Sequence, residues 1–179
     1  MKSLVFVALL SALVAVAAAE TAASLQVGDR APGFVLPYAT RDSVARDSLA
    51  LASLLGRRNV VLAFYPADWS GGCTREVCAL RDNFTSLAAL DADIVGISGD
   101  YVFSHHEWAR HHDLPFRLAS DHRHEVAKAY GSFNEANGFN RRTVFVVGRD
   151  GRIAYVDPAY SVRDSVSFVK LRAALEGLK

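Results

Sequence analysis

Short apolar runs alternate with longer periodic stretches along this chain. Residues 60–65 are almost wholly apolar and precede Pro66, which is typical of a strand buried on both faces. Between residues 73 and 90, apolar side chains recur every three or four positions, which predicts an amphipathic helix. A second buried strand is predicted at 94–97, and a second helix at 103–112.

The rest of the pattern completes an alternation of strands and helices. Further elements are predicted as a strand-like run near 34–36, a turn or short helix at 49–55, a strand at 116–118, a helix at 126–130, a hairpin of strands 143–147 and 153–156, and a helix at 162–178. The order predicts an α/β fold, with a central mixed β-sheet flanked by helices on both faces.

The N-terminus has the pattern of a secretory signal peptide. Lys2 supplies a positive charge, residues 4–16 form an apolar stretch, and small residues occupy the last and third-last positions before Glu20. This stretch of 13 residues is too short to span a bilayer, which needs about 20. We expect a signal peptide at 1–19, one domain at 20–179, and export to the periplasm, the extracellular space or a secretory lumen. An uncleaved anchor or a buried helix is the alternative.

Composition and charge restrict the class of partner. The chain has 20 Lys and Arg against 19 Asp and Glu, and loss of Lys2 with the signal peptide leaves 19 of each sign. A neutral protein with scattered charges offers no electrostatic footprint for nucleic acid or for an anionic membrane, so we expect neither partner. Hydrophobic residues make up 51% of the chain, and no repeat or linker divides it, which favours one domain with one core.

The chain contains two cysteines, Cys73 and Cys78, where the first buried strand gives way to a helix. Free N–H groups and the positive dipole end of a helix favour thiolate over thiol, so a reactive cysteine is expected there. In a regular helix, residues five apart have Cα atoms roughly 8–9 Å apart, beyond the ~7 Å that a disulfide allows. We therefore predict a reduced form with this helix wound and an oxidised form with it locally unwound. The alternative is a structural disulfide of an exported protein.

With these residues in view, the chain resembles the peroxiredoxins, most closely the bacterioferritin-comigratory or Q-type subfamily. The family's pattern of Pro, three residues, Thr or Ser, two residues and Cys is matched by Pro66, Ser70 and Cys73. The subfamily's second cysteine, five positions on, is matched by Cys78. The similarity runs from about residue 25 to the C-terminus and implies a thioredoxin-like fold.

The resemblance implies a peroxidase that reduces hydrogen peroxide and organic hydroperoxides. The thiolate of Cys73 would attack the peroxide and become a sulfenic acid, and Cys78 would condense with it to an intramolecular disulfide. An external dithiol such as thioredoxin would then reduce the disulfide. No metal or organic cofactor is required, and the subfamily implies a monomer.

The resemblance also assigns roles to neighbouring side chains. Arg142 stands where the family carries its active-site arginine, whose charge would favour the thiolate; Arg141 is the weaker candidate. The Ser70 hydroxyl would hold the peroxide, and Pro66 would shield the pocket from water. Glu76 would either orient Arg142 or simply complement the helix dipole as a first-turn acid.

The chain departs from the subfamily at two positions close to the first cysteine. Gly71 stands where Pro is usual, and Trp69 occupies a position that is usually polar or small. Two glycines before Cys73 should loosen the loop and ease unwinding, but they also weaken preorganisation of the peroxide site.

Two other functions use the same residue types. A thioredoxin-fold protein that binds or delivers copper would need two thiols and a distant histidine, and the chain has six histidines. His105 and His112 are separated by about 10 Å along a helix axis, too far to share one ion. A thiol-disulfide oxidoreductase usually carries Cys-x-x-Cys, whereas four residues separate the cysteines here.

Overall fold

The computed structural model describes residues 25–161 and 163–178. The signal peptide predicted at 1–19 and the first residues of the predicted domain lie outside these ranges. Among the described residues, no helix has the length and apolar character that a bilayer crossing requires.

The strands and helices follow the predicted alternation. The strands are β1 (Val35–Ala39), β2 (Val44–Ala50), β3 (Asn59–Phe64), β4 (Ala92–Ser98), β5 (Arg117–Ser120), β6 (Phe133–Asn134), β7 (Phe139–Asn140), β8 (Thr143–Val147) and β9 (Ile153–Asp157). The helices are α1 (Gly71–Asp82), α2 (Phe84–Ala88), α3 (Val102–His111), α4 (Glu125–Ala129) and α5 (Ser165–Glu176), with a 3₁₀ turn at Leu51–Ser53.

The main sheet is mixed and has the strand order β2-β1-β5-β4-β3-β8-β9. Strand β3 pairs parallel with β4 and antiparallel with β8, and it is buried along its whole length. A strand covered on both faces needs apolar residues on both, which explains its continuous apolar sequence.

Helices cover both faces of this sheet, as predicted. Val61 and Ala63 of β3 face a core built with α1, α2, α3 and α5. Val60, Leu62 and Phe64 face a second core built with α4, the 3₁₀ turn and the N-terminal segment. The alternation of side chains along β3 therefore divides the apolar interior into two layers.

The single helix predicted over 73–90 is wrong, because the structure has two helices there. α1 ends at Asp82 and α2 begins at Phe84. The intervening Asn83 has φ −103° and ψ 5°, and its side-chain amide donates to the Ala79 carbonyl at 2.8 Å. An Asn side chain competes for helix carbonyls in this way. The break leaves both cysteines in a helix of 12 residues.

Two sheet elements were not predicted from the pattern. β2 is a mostly exposed edge strand that carries Arg46 and Asp47, so it lacks an apolar face. The β6 and β7 pair is a separate hairpin with two residues in each strand, too short for a periodic signal. Neither element contributes to the central part of the main sheet.

We predict that Gly96→Ala destabilises the fold. A Cβ at this position would lie 2.7 Å from Leu118 Cδ2 and 3.2 Å from Tyr65 Cε1, and both side chains are buried. Overpacking of this kind costs about 1–3 kcal/mol. Gly33→Ala is the matched control, because its Cβ would meet nothing within 4 Å. Thermal unfolding midpoints that are equal for the two variants would contradict the prediction.

Candidate active site

Cys73 lies in the first turn of α1, and its side chain is 0% exposed. Strand β3 ends at Phe64, and the loop that follows leads to Ser70, the residue that caps α1. Ser70 has an extended backbone, and its Oγ accepts from the Cys73 N–H at 3.4 Å. A serine at this position satisfies a free amide of the first helical turn, which fixes where α1 begins.

Arg142 connects the thiol to a buried carboxylate. It directly precedes β8, whose antiparallel pairing places Thr143 opposite Phe64 at the end of β3. The Arg142 Nη2 donates to Cys73 Sγ at 3.2 Å, and Nη1 donates to Glu76 Oε2. A guanidinium at this distance stabilises the negative charge of a thiolate.

Arg141, the second candidate from the sequence, is placed differently. Its Nη1 donates to the Gly131 carbonyl at 3.4 Å, and the side chain is exposed. Partial burial lowers the pKa of Arg142, but the charges of Glu76 and Cys73 and the hydrogen bonds to them together raise it above its usual value. Of the two arginines, Arg142 is therefore the one whose charge acts on the thiol.

Gly72 makes room for this guanidinium. A Cβ on Gly72 would lie 2.5 Å from Arg142 Nη2 and 3.4 Å from its Cζ. A Cβ on Gly71 would meet only Arg75 Nη1, at an ordinary contact distance of 3.8 Å. The glycine pair was expected to loosen the loop and to weaken preorganisation of the peroxide site, whereas the structure shows that the second glycine leaves room for Arg142 to approach Cys73.

Glu76 is 1% exposed and faces Arg142 one turn after Cys73. Its Oε2 accepts from Arg142, while Oε1 is buried without a hydrogen-bond partner among the described residues. Burial raises the pKa of Glu76 to about 7, although the charge and hydrogen bond of Arg142 act in the opposite direction. Of the two roles considered from the sequence, the contact favours orientation of Arg142.

A buried polar network that the sequence reasoning missed holds the loop before α1. Asp68 accepts from Tyr65 Oη at 2.8 Å and from Ser104 Oγ at 2.7 Å, and its Oδ2 lies 2.9 Å from His105 Nδ1. The side chains of Asp68 and His105 are both fully buried. The Asp68 N–H donates to Asp100 Oδ2 at 2.9 Å. These bonds attach the loop to α3 and to the end of β4.

Trp69 adopts a backbone conformation that is uncommon for a bulky residue. Its φ of 59° lies in the left-handed region. The ring is 53% exposed and lies 5.6 Å from the ring of His111 and 6.2 Å from that of His112. Its Nε1 donates to Ser104 Oγ at 3.3 Å. The contacts on α3 and the neighbouring Asp68 network hold this strained residue in place.

The Ser70 hydroxyl, which was assigned to the peroxide, already makes hydrogen bonds within the protein. Ser70 Oγ donates to the Ala67 carbonyl at 3.2 Å and accepts the Cys73 N–H. A peroxide that used this hydroxyl and this amide would have to take the place of those partners. Pro66 is half-buried in the same loop.

Cys78 lies five residues after Cys73 in the same continuous helix, and both thiols are free. This is the geometry expected for the reduced, wound form. Cys78 is half-buried, and its Sγ lies 3.9 Å from Nδ1 of His112. The two cysteines therefore have different neighbours: a cation for Cys73 and an imidazole for Cys78.

His105, His112 and His124 lie in three different surroundings. His105 belongs to the buried network, His112 contacts Cys78, and His124 lies 2.9 Å from Asn140 Oδ1. Within the described part of the chain, no three His, Cys, Asp or Glu side chains are grouped so that they could hold a metal ion.

Comparisons with known proteins show which proteins this chain is similar to. The model of the AhpC/TSA family matches residues 27–156. Peroxiredoxin Bcp of Bacillus subtilis is 31% identical over 150 residues, which cover 80% of this chain and 92% of that protein. The chloroplastic peroxiredoxin Q of Oryza sativa subsp. japonica is 37% identical over 130 residues, 72% of this chain and 57% of that protein. The crystal structure of peroxidoxin BcpB from Mycobacterium tuberculosis superposes with a TM-score of 0.75 at 30% identity, over 87% of this chain and 99% of that one.

We predict that Gly72→Ala makes Cys73 less reactive while the protein stays folded. The new methyl group would displace the guanidinium, which is the flexible end of Arg142. The substitution should therefore weaken the stabilisation of the Cys73 thiolate and leave the packing of the core unchanged. The rate of alkylation by iodoacetamide at neutral pH should fall several-fold when measured in a Cys78→Ser background. Gly71→Ala is the control, and equal rates for the two variants would contradict the role of Gly72.

We also predict a pH-dependent stability that comes from Glu76. Because its pKa is raised from 4.5 to about 7, the folded state holds a proton that the unfolded state releases. This contribution is fully present below the unfolded value and is lost as pH rises to about 7, a change of about 3 kcal/mol in the free energy of unfolding. Urea unfolding of the wild type and Glu76→Gln across this range measures it. A stability difference that does not change with pH would contradict the prediction.

Proposed function

The chain belongs to the AhpC/TSA family of peroxiredoxins, and we propose that it reduces hydrogen peroxide and organic hydroperoxides through a cycle of two cysteines. The contact of Arg142 with Cys73, at 3.2 Å, is the observation that carries this proposal. In this contact, the permanently positive guanidinium lies next to a buried sulfur at the N-terminus of a helix. Such surroundings favour a nucleophilic thiolate.

In the first step, the Cys73 thiolate attacks one oxygen of the peroxide. An S–O bond forms, the O–O bond breaks, and the sulfur becomes a sulfenic acid. The other oxygen leaves with the electron pair and is protonated to water or an alcohol. Arg142 and the amides of the first turn of α1 supply positive charge where this oxygen becomes negative, which lowers the barrier.

In the second step, the sulfenic acid of Cys73 condenses with the Cys78 thiol to give a disulfide and water. The wound helix holds the two residues too far apart for an S–S bond, so α1 must unwind locally. α1 is only 12 residues long, begins with two glycines and ends at the Asn83 break. Few backbone hydrogen bonds of α1 therefore have to break.

The third step needs an external dithiol of the thioredoxin class, which gives two electrons to the disulfide and restores both thiols. Export through the signal peptide at 1–19 and a monomeric state complete the proposal. Neither copper delivery nor thiol-disulfide exchange is favoured, since the family assignment and the Arg142 contact both support a peroxidase.

We predict that the two cysteines fail in different ways when they are replaced. Cys73→Ser should abolish peroxide consumption, because no nucleophile remains. Cys78→Ser should reduce one equivalent of peroxide and then stop or over-oxidise, since the sulfenic acid has no partner thiol. Peroxide loss, followed together with intact mass, measures both results.

The wild type treated with one equivalent of hydrogen peroxide serves as the reference for that experiment. It should lose about two mass units and show a link between Cys73 and Cys78, because the disulfide forms with loss of two hydrogens. Equal partial losses of activity in both serine variants would instead indicate a structural bridge and would overturn the proposal.

A further inference from the structure

We infer that His112 is the base that removes the proton from Cys78 before Cys78 condenses with the sulfenic acid. The inference rests on the proposed function, in which Cys78 is the second cysteine of the cycle. It adds a catalytic residue to a step that the surroundings of Cys73 do not serve, because Arg142 contacts Cys73 and Glu76 instead.

The first observation is the contact itself. His112 Nδ1 lies 3.9 Å from Cys78 Sγ, within the longer reach of a hydrogen bond that involves sulfur. Catalytic hydrogen bonds are often long before the reacting partner is in place. With the ring proton on Nε2, Nδ1 presents a lone pair towards the thiol.

The second observation is that the imidazole is held in position from several sides. His112 follows the last turn of α3, and its carbonyl accepts from Arg81 Nη1 at 2.8 Å. Its ring packs edge-on against Trp108, with centroids 6.0 Å apart, and against His111 at 4.7 Å. Because α3 is separate from α1, unwinding of α1 does not require the base to move.

Burial and the neighbouring positive charges keep the imidazole of His112 neutral. Burial, then His111, then Arg81 lower the pKa of His112, so at neutral pH the imidazole can accept a proton. Arg81 on α1 also interacts with the charge of Cys78 and is paired with Asp82. Asp113 lies close enough to act on Arg81 as well. The Cys78 thiol therefore has a proton acceptor in contact with it and a cation on its own helix that interacts with it.

The proton and electron balance of the step is simple. The S–H bond of Cys78 breaks and its proton moves to His112 Nδ1. The resulting thiolate attacks the sulfur of the Cys73 sulfenic acid, an S–S bond forms and the S–O bond breaks. The leaving hydroxide takes the proton from the His112 imidazolium and departs as water, so His112 returns to its neutral form.

A purely structural contact would have the opposite effect on the rate. If His112 only tethered Cys78 to α3, its removal would make α1 easier to unwind and would accelerate disulfide formation. If His112 is the base, its removal slows the step at neutral pH. The size of the loss has a limit: a free thiol is about 3% ionised at pH 7, so full deprotonation gives at most about a 30-fold gain.

The test compares His112→Gln with His106→Gln, a matched control that removes another imidazole of α3, whose Nδ1 lies 2.9 Å from the Thr40 carbonyl. Disulfide formation after one equivalent of hydrogen peroxide is followed by rapid quenching and mass spectrometry from pH 6 to pH 9. We expect His112→Gln to be about tenfold slower near pH 7 and to approach the wild-type rate above about pH 8.5. The control should stay within about twofold of wild type, because general-base catalysis is not removed.

A second measurement excludes effects on unwinding. In a Cys73→Ser background, alkylation of Cys78 by iodoacetamide is measured against pH with and without His112→Gln, and the profile should move to higher pH when His112 is replaced. An unchanged or faster disulfide step, or an unchanged alkylation profile, overturns the inference. Absence of any Cys73 to Cys78 disulfide in the wild type would instead overturn the proposed function.

Discussion

The positive charge of Arg142, shared between a buried thiol and a buried carboxylate, is the interaction on which the site depends. Its two donors reach Cys73 and Glu76, and both acceptors are almost completely removed from solvent. Buried charges are costly unless they are paired, so the three groups stabilise one another or fail together. The pairing of β8 with β3 brings the guanidinium to this place, and the missing side chain of Gly72 lets it approach. The reactivity of Cys73 therefore depends on the pairing of β8 with β3 as well as on α1, which carries the thiol.

A loop held by buried hydrogen bonds meets a short helix at the start of α1. Before it, Asp68 fixes the loop to α3 and to the end of β4 through buried hydrogen bonds, and Trp69 is held in a strained conformation. After it come two glycines and a helix that stops at Asn83. In the proposed cycle, peroxide chemistry needs Cys73 held against Arg142, whereas disulfide formation needs the same turn to open. The loop before Ser70 can hold Cys73 in place, and the short helix after Ser70 can open.

Local patterns predicted what depends on neighbours in the sequence. The apolar run of β3 and the thiol at the start of a helix were visible in the order of residues, whereas Arg142 was found only through the family resemblance, because its contact with Cys73 spans 69 positions. The pairing of Asp68 with His105 could not be predicted, since isolated polar residues are typical of a solvated surface. The break at Asn83 was hidden because the apolar stripe continues across it to Leu87 on the same core face.

In the proposed cycle, the two cysteines are prepared for their reactions by different physical means, and the order of the steps explains why. The first thiol must be ionised whenever peroxide arrives, and a guanidinium keeps its charge at every pH at which the protein is folded. The second thiol is needed only after the first has been oxidised, and a permanently ionised sulfur in the wound helix would itself be open to oxidation. A neutral imidazole removes the proton without placing a lasting charge next to Cys78. The cation next to Cys73 thus keeps that thiol ionised at all times, whereas the base next to Cys78 ionises that thiol only when the disulfide forms.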